Sequence, residues 1–319
     1  MIIKVLDAVT LGEDVSPELF REFGHLEVYP MTSPSEIPER IADADVLVLN
    51  KVRLGAAELS GARSLKLICI TATGYDNVDL AYCRENGIGV TNVAGYSTHS
   101  VAQVTVATVL SLACHLSSYD RFVKDGSYSN GSAHNRLSPA FGELFGKTWG
   151  VVGLGNIGTK TAEIASAFGC RVIGTRGSGK PHPIAEVVDI DRLCRESDII
   201  TLHLPLSDAS RHLISHARLA MMKPSAILVN AARGAVVDES AVADAVLNGR
   251  IAGFGCDVYS REPMAKDHPY ARLLDCDNVI LTPHMAWGAY EARVRCLSEV
   301  AENIRSFLHG EHRSRVEGI

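Results

Sequence analysis

Three glycines near the middle of the chain have the spacing of a phosphate-binding turn. Residues 153–158 read Gly-Leu-Gly-Asn-Ile-Gly, after a short apolar run and before a helical pattern. In this arrangement the first glycine permits a tight turn, the second lets the backbone approach a pyrophosphate, and the third lets the helix pack on the strand. The anion then lies at a helix N-terminus, where free N–H groups and the helix dipole favour it. The motif predicts a dinucleotide-binding turn formed by Gly153, Gly155, Asn156, Ile157 and Gly158.

The residues that follow the second strand of this pattern bear on the kind of dinucleotide. An Asp or Glu about 20 residues after the glycine turn usually binds the ribose 2′-hydroxyl of NAD. Here Arg176 occupies that place, and Ser178 and Lys180 follow it. These side chains could bind a 2′-phosphate, which a carboxylate would repel. The sequence therefore favours NADP(H); the alternative is an exposed Arg176 that stacks on adenine in a protein that uses either cofactor.

An arginine, a glutamate and a histidine follow the ends of three later strands. They are Arg233, Glu262 and His284. Ligands bind beyond the carboxyl ends of the strands in open α/β sheets, so we expect these side chains at the edge that carries the glycine turn. Each has another interpretation when taken alone: a surface cation, a solvated loop carboxylate and a structural histidine. Their order and common placement favour a joint role at the nicotinamide end of the cofactor.

The segments that must position these residues alternate between apolar strands and helices. The strands are runs of Val, Ile and Leu with little alternation, as expected for parallel strands buried on both faces. We expect an α/β protein with two doubly wound parallel-sheet domains. Residues 1–99 and 288–319 would form a flavodoxin-like substrate domain, and residues 100–287 an inserted Rossmann domain for the cofactor. The chain would pass between the two domains twice, near Ser100 and at residues 287–289, and these two connections would form a hinge.

Composition bears on the class of protein and its partners. The 319-residue chain is 46% hydrophobic and 21% charged, with a net charge of -6. This balance argues against nucleic acid or an anionic membrane as the main partner. Eight cysteines without a C-x-x-C pair indicate buried free thiols in a reducing compartment rather than a zinc site. Neither a signal peptide nor an apolar run of about 18 residues is visible, so we expect a cytoplasmic protein without a metal.

Several motifs together carry a resemblance to a known family. The chain resembles the D-isomer-specific 2-hydroxyacid dehydrogenases from end to end. The matching segments are residues 72–79 (Ala-Thr-Gly-Tyr-Asp-Asn-Val-Asp), 153–158, 203–205 (His-Leu-Pro), 230–234, 257–263 and 282–284 (Thr-Pro-His). Separate motifs in a fixed order are far more specific than the glycine turn alone. Residues 96–103 and 283–293 look most like the glycerate dehydrogenase/hydroxypyruvate reductase branch.

The resemblance implies chemical roles at the matched positions. Arg233 would bind the substrate carboxylate and its 2-oxo oxygen, which suit the planar guanidinium fork. His284 would protonate the carbonyl oxygen as hydride reaches C2, and Glu262 would pair with His284 and favour its protonated form. Further substrate contacts would come from Thr73, Gly74, Tyr75 and Trp287.

The same resemblance implies contacts to the rest of the cofactor. Pro205 and Ser207 would lie beside the adenosine half, and Ala231 and Asp257 near the nicotinamide. Asp257 could bind the carboxamide group; the alternative is that its carboxylate caps a turn. These contacts complete a site for NAD(P)(H), with NADP(H) favoured.

The implied function is hydride transfer between NAD(P)H and C2 of a small 2-oxo acid. Hydroxypyruvate or glyoxylate is the expected acid, giving D-glycerate or glycolate. The alternatives are a D-lactate- or phenylpyruvate-type reductase and a cofactor-sensing corepressor without catalysis. Members of the family are usually dimers, so we expect a homodimer, with a helix over Val101–Leu116 as an interface element.

Overall fold

The protein folds into two compact units, each built around its own sheet. The structure is a computed structural model that describes residues 1–318. The first unit comprises Met1–Ser97 and the segment that starts at Gly288, and the second comprises Thr98–Trp287. Both sheets are parallel and covered by helices, so the expected α/β fold class with two parallel-sheet domains is confirmed.

The first unit has a five-stranded sheet. Its elements are β1 (Ile2–Val5), β2 (His25–Val28), α1 (Ile37–Ile41), β3 (Val46–Leu49), α2 (Ala56–Leu59), β4 (Leu67–Ile70), α3 (Leu80–Glu85) and β5 (Gly89–Thr91). The strands lie in the order β2-β1-β3-β4-β5. Every residue of β3 and β4 is buried, as expected for apolar strands in the interior of a parallel sheet.

The second unit has a seven-stranded sheet that carries the glycine turn. Its helices are α4 (Thr98–Ala113), α5 (Leu116–Lys124), α6 (Asn156–Ala167), α7 (Ile190–Glu196), α8 (His216–Met221) and α9 (Glu239–Leu247). Its strands are β6 (Thr148–Val152), β7 (Arg171–Thr175), β8 (Glu186–Val187), β9 (Ile199–Leu202), β10 (Ile227–Asn230), β11 (Gly253–Cys256) and β12 (Val279–Leu281). The strand order is β12-β11-β10-β9-β6-β7-β8.

The order of the second sheet reverses beside β6, which places the glycine turn where such sheets bind ligands. Strand β6 pairs with β7 on one side and with β9 on the other. Val152, the last residue of β6, lies opposite Thr175 and Leu202. The turn that starts at Gly153 therefore leaves the sheet at its topological switch point, at the carboxyl ends of the strands.

The last helix returns to the first unit. Helix α10 (Tyr290–Leu308) packs against β4. Inside this unit, Arg295 donates to the carbonyl of Tyr96 at 3.1 Å, and Asn303 donates to the carbonyl of Asn92 at 3.2 Å. These bonds attach both sides of the insertion to the same small domain.

The long apolar helix expected over Val101–Leu116 is broken in the structure. It starts earlier, at Thr98, and ends at Ala113, because His115 adopts a left-handed conformation with φ 52°. Helix α5 then starts at Leu116. Within residues 1–318, no single helix is long and apolar enough to cross a membrane, whereas α4 and α5, bent by 64°, would pass together on length and composition.

Candidate active site

The three glycines of the turn each meet a different steric requirement. Gly153 has φ 96°, and a Cβ on it would lie 2.7 Å from the His203 carbonyl oxygen. A Cβ on Gly158 would lie 2.0 Å from the Gly153 carbonyl oxygen, so only glycine lets helix α6 start this close to the turn. Gly155 is the N-cap of α6, and among the described residues nothing lies within 4 Å of a Cβ built on it. The open helix N-terminus that carries Asn156 and Ile157 fits a pyrophosphate.

The segment after β7 is tied to the glycine turn. Thr175 accepts a hydrogen bond from the Gly153 N–H at 3.2 Å through its hydroxyl. Arg176 follows, is exposed, and donates weakly to the Pro181 carbonyl at 3.3 Å. His182 closes the loop, since its Nε2 lies 3.1 Å from the hydroxyl of Thr159 on α6. Burial and the Arg176 charge lower the pKa of His182.

His284 and Glu262 are in direct contact. His284 Nδ1 donates to Glu262 Oε2 at 2.6 Å, and both side chains are half-buried. The Tyr259 N–H donates to the other carboxylate oxygen at 3.2 Å, which orients Glu262. A carboxylate bound to one imidazole nitrogen stabilises the imidazolium and fixes the ring. The pair can therefore supply a proton to a group at the carboxyl edge of the sheet.

Asp257 holds the backbone on both sides of His284. Its buried carboxylate accepts from the Thr282 hydroxyl at 2.6 Å and from the N–H groups of Met285 and Ala286, each at 2.9 Å. His284 itself has a left-handed φ of 54°, a conformation that needs such support. These contacts correspond to the turn-capping alternative, and the bond from Asp257 to a carboxamide stays a prediction.

Arg233 follows β10 in a segment held by Asn230. The Asn230 side chain donates to the Arg233 carbonyl at 3.0 Å and accepts from the Ala232 N–H at 3.1 Å. The next residue, Gly234, packs so tightly that a Cβ on it would lie 2.0 Å from the Tyr259 carbonyl carbon. The strand ends that carry Arg233 and Glu262 therefore adjoin, because β10 and β11 are neighbours.

The remaining expected contacts lie at other strand ends. Pro205 and Ser207 are exposed in a turn after β9, in which the Ser210 hydroxyl donates to the Pro205 carbonyl at 2.8 Å. Ala231 directly follows β10, and Trp287 is the last residue of the second unit. In the first unit, Thr73 to Tyr75 follow β4, and the Thr73 hydroxyl donates to the Val93 carbonyl at 3.1 Å. In the part of the chain described, no three His, Cys, Asp or Glu side chains group as metal ligands.

His203 is a feature of the site edge to which the sequence assigned no role. It follows β9 in the His-Leu-Pro motif, beside the first glycine of the turn. Both ring nitrogens are buried, and across residues 1–318 neither finds a hydrogen-bond partner. Burial lowers the pKa of His203 to about 3, so the ring is neutral at ordinary pH. The motif itself was visible in the sequence, but the burial of its ring was not.

This geometry defines a Rossmann protein whose acid–base pair lies at the same carboxyl edge of the sheet as its dinucleotide turn. Comparisons with known proteins agree. Residues 106–286 match the family model described as D-isomer specific 2-hydroxyacid dehydrogenase, NAD binding domain. The D-3-phosphoglycerate dehydrogenase of Methanocaldococcus jannaschii is 37% identical over 97% of this chain, which spans 58% of the length of that relative.

Two further proteins are similar over the whole chain. The hydroxypyruvate reductase of Blautia hydrogenotrophica is 32% identical, over 97% of this chain and 98% of that protein. The crystal structure of a D-lactate dehydrogenase from Aquifex aeolicus, complexed with NAD and lactic acid, has a TM-score of 0.86 and 28% identity, and the match covers 100% of both chains. The chain belongs to the D-isomer-specific 2-hydroxyacid dehydrogenase family. Its function is that of a 2-hydroxyacid dehydrogenase, an oxidoreductase with an NAD-binding Rossmann domain, as the motifs predicted.

Proposed function

We propose that the protein reduces hydroxypyruvate or glyoxylate to the D-2-hydroxy acid, D-glycerate or glycolate. The observation that carries this proposal is the 2.6 Å bond between His284 and Glu262, where Glu262 follows β11 and Arg233 follows the neighbouring β10. Similarity to a hydroxypyruvate reductase along nearly the full chain supports the choice of acid. A D-lactate-type activity is the second candidate, because a D-lactate dehydrogenase shares the fold over all of this chain.

The proposed chemistry divides between charge placement and proton transfer. Arg233 binds the carboxylate and the 2-oxo oxygen of the acid, and its charge polarises the carbonyl. The bound cofactor supplies the hydride that reaches C2. His284 gives a proton to the carbonyl oxygen, which becomes the hydroxyl, and takes it back in the oxidative direction. Glu262 accepts the Nδ1–H of His284 and holds the ring in place, and solvent returns the proton that His284 gives up in each turnover.

We also propose that NADP(H) is preferred to NAD(H). The support is positive charge without a carboxylate after β7, where Arg176, Ser178 and Lys180 stand. The bond between His182 and Thr159 shapes the loop that carries these residues. The Aquifex aeolicus relative is described with NAD, so the preference is a property to be tested in this chain.

A homodimer in the cytoplasm completes the proposal. Helix α5 and the segment that follows it expose apolar side chains that a second subunit could cover: Leu116, Val123, Leu137, Phe141 and Phe145. Free cysteines are consistent with a reducing compartment.

The substrate proposal is tested by steady-state oxidation of NADPH and NADH with a panel of 2-oxo acids. We expect the highest kcat/KM with hydroxypyruvate or glyoxylate. A clear preference for pyruvate or phenylpyruvate would replace this proposal with the second candidate. Tight cofactor binding without turnover of any acid would instead indicate a non-catalytic cofactor sensor.

A further inference from the structure

A nearly buried carboxylate is bonded to the loop that carries Glu262 and takes no part in the proton or hydride transfer. Glu239 is the first residue of α9, and its side chain is 9% exposed. Its Oε1 accepts from the Ser260 N–H at 2.8 Å. Its Oε2 accepts from the Ser260 hydroxyl and from His268 Nε2, the latter at 3.0 Å. Three donors therefore converge on one carboxylate, and two of them belong to the loop that carries Glu262.

His268 is fixed so that it donates to Glu239. It is buried, and its Nδ1 accepts from the Tyr270 N–H at 3.1 Å, so the ring proton resides on Nε2. The rings of Tyr259 and Tyr270 pack against the imidazole with centroid distances of 5.7 and 4.8 Å. The histidine cannot turn without losing these contacts. It therefore fixes the carboxylate of Glu239, and that carboxylate fixes Ser260.

Ser260 lies in the loop between Tyr259, whose N–H orients Glu262, and Glu262 itself. The residue before it, Tyr259, donates its N–H to Glu262, and Glu262 stands two residues after it. The peptide that joins Tyr259 to Ser260 also packs on Gly234, where a Cβ would lie 2.1 Å from the Ser260 nitrogen. A shift of this peptide would therefore displace Glu262 and the neighbour of Arg233 together.

We propose that Glu239 is a positioning residue for the reduction. Through Ser260 it fixes the loop that places Glu262 against His284 and the segment beside Arg233. This inference rests on the proposed roles of that pair. Its physical basis is that a buried carboxylate with three donors holds its partners more rigidly than single exposed bonds do.

The test compares Glu239→Gln with Glu262→Gln and with the double variant in 2-oxo acid reduction. Glu239→Gln keeps the size of the side chain but presents an amide hydrogen to the donors around it. We expect kcat to fall about 10-fold or more, because misplacement by a fraction of an ångström is costly in catalysis. The KM for the cofactor should stay within about twofold, since the glycine turn is untouched.

The pH profile separates positioning from a merely structural role. Reduction takes a proton from His284, so the pH profile of kcat reports on the bond between His284 and Glu262. Both single variants should shift the midpoint of this profile in the same direction, because both disturb that bond. In the double variant, Glu239→Gln should add no further shift. Asp244→Asn is the matched control on the same helix, because it breaks only an exposed pair with Arg272 and should leave the profile unchanged.

Each outcome decides between the possibilities. A folded Glu239→Gln variant with wild-type kcat and pH midpoint would overturn the role of Glu239, as would a shift that adds fully to that of Glu262→Gln. If Glu239→Gln does not fold, Ser260→Ala removes one of the three bonds and should give a smaller change in the same direction; a wild-type profile there would overturn the proposal. An active wild-type enzyme that is insensitive to Glu262→Gln would instead contradict the proposed function.

Discussion

Asp257 builds the turn around His284. The family resemblance implied a place near the nicotinamide and left a turn cap as the alternative, and the bonds of Asp257 to Thr282, Met285 and Ala286 are those of a cap. Residue types at strand ends are predictable because the carboxyl edge of a parallel sheet collects ligand-binding groups. By contrast, the sequence does not predict which group about 25 residues away will bond to a given carboxylate, because that depends on the path of the loop.

His203 gives a residue-scale prediction about acid stability. Its pKa is lowered to about 3 by burial, against about 6.5 in an unfolded chain, so the unfolded state binds more protons between these values. The free energy of unfolding is therefore unaffected by this group above pH 6.5. As the pH falls from 6.5 towards 3, the group lowers that free energy by up to about 1.4 kcal/mol per pH unit. Between pH 6 and 4, the unfolding free energy of His203→Leu should fall less steeply than that of the wild type.

Chemical denaturation at several pH values measures this slope. His134→Leu, which removes an exposed histidine, is the control and should keep the wild-type slope. Equal slopes for wild type and His203→Leu would contradict the assignment of a buried neutral ring.

At the scale of elements, the strands and their ends followed from the apolar runs of the sequence. Short elements did not: β2 reads His-Leu-Glu-Val and is paired on one side only, so its apolar pattern is weak. Helix α5 was missed because the break at His115 needs a left-handed residue that is not a glycine. Such local conformations depend on packing, which overrides residue preference.

The end of β7 carries the element-scale prediction. Arg176→Asp should shift the ratio of kcat/KM for NADPH and NADH towards NADH by about 10-fold or more, because a charge-assisted bond to the 2′-phosphate is replaced by repulsion. Arg63→Asp, an exposed change in the first unit, should leave the ratio unchanged. A wild type that prefers NADH would disprove the NADP(H) preference whatever the variant does.

At the scale of the whole molecule, two parallel-sheet units in one chain were predictable, since the glycine turn stands near mid-chain with alternating strands and helices before it. The apolar surface that follows α5 was not expected, because that segment is rich in polar residues. Its apolar side chains indicate an interface only because the structure shows them exposed. Leu137 is 73% exposed and Phe141 56%.

This surface leads to a prediction about assembly. Analytical ultracentrifugation should give twice the mass of one chain, and Leu137→Glu combined with Phe141→Glu should shift the protein towards the monomer by placing charge in an apolar contact. Val9→Glu, which changes an apolar side chain of the first unit that is 60% exposed, serves as control. A wild type that sediments as a monomer would exclude the homodimer.

The measurement that tests the account most directly is the effect of His284→Ala on turnover and on cofactor binding. A general acid contributes about 100-fold or more, so kcat for 2-oxo acid reduction should fall at least that far. Cofactor affinity, followed by nicotinamide fluorescence, should change less than about twofold, because the pyrophosphate is bound at the glycine turn. Normal turnover by the folded variant would contradict the account, since no proton donor would then be needed from His284.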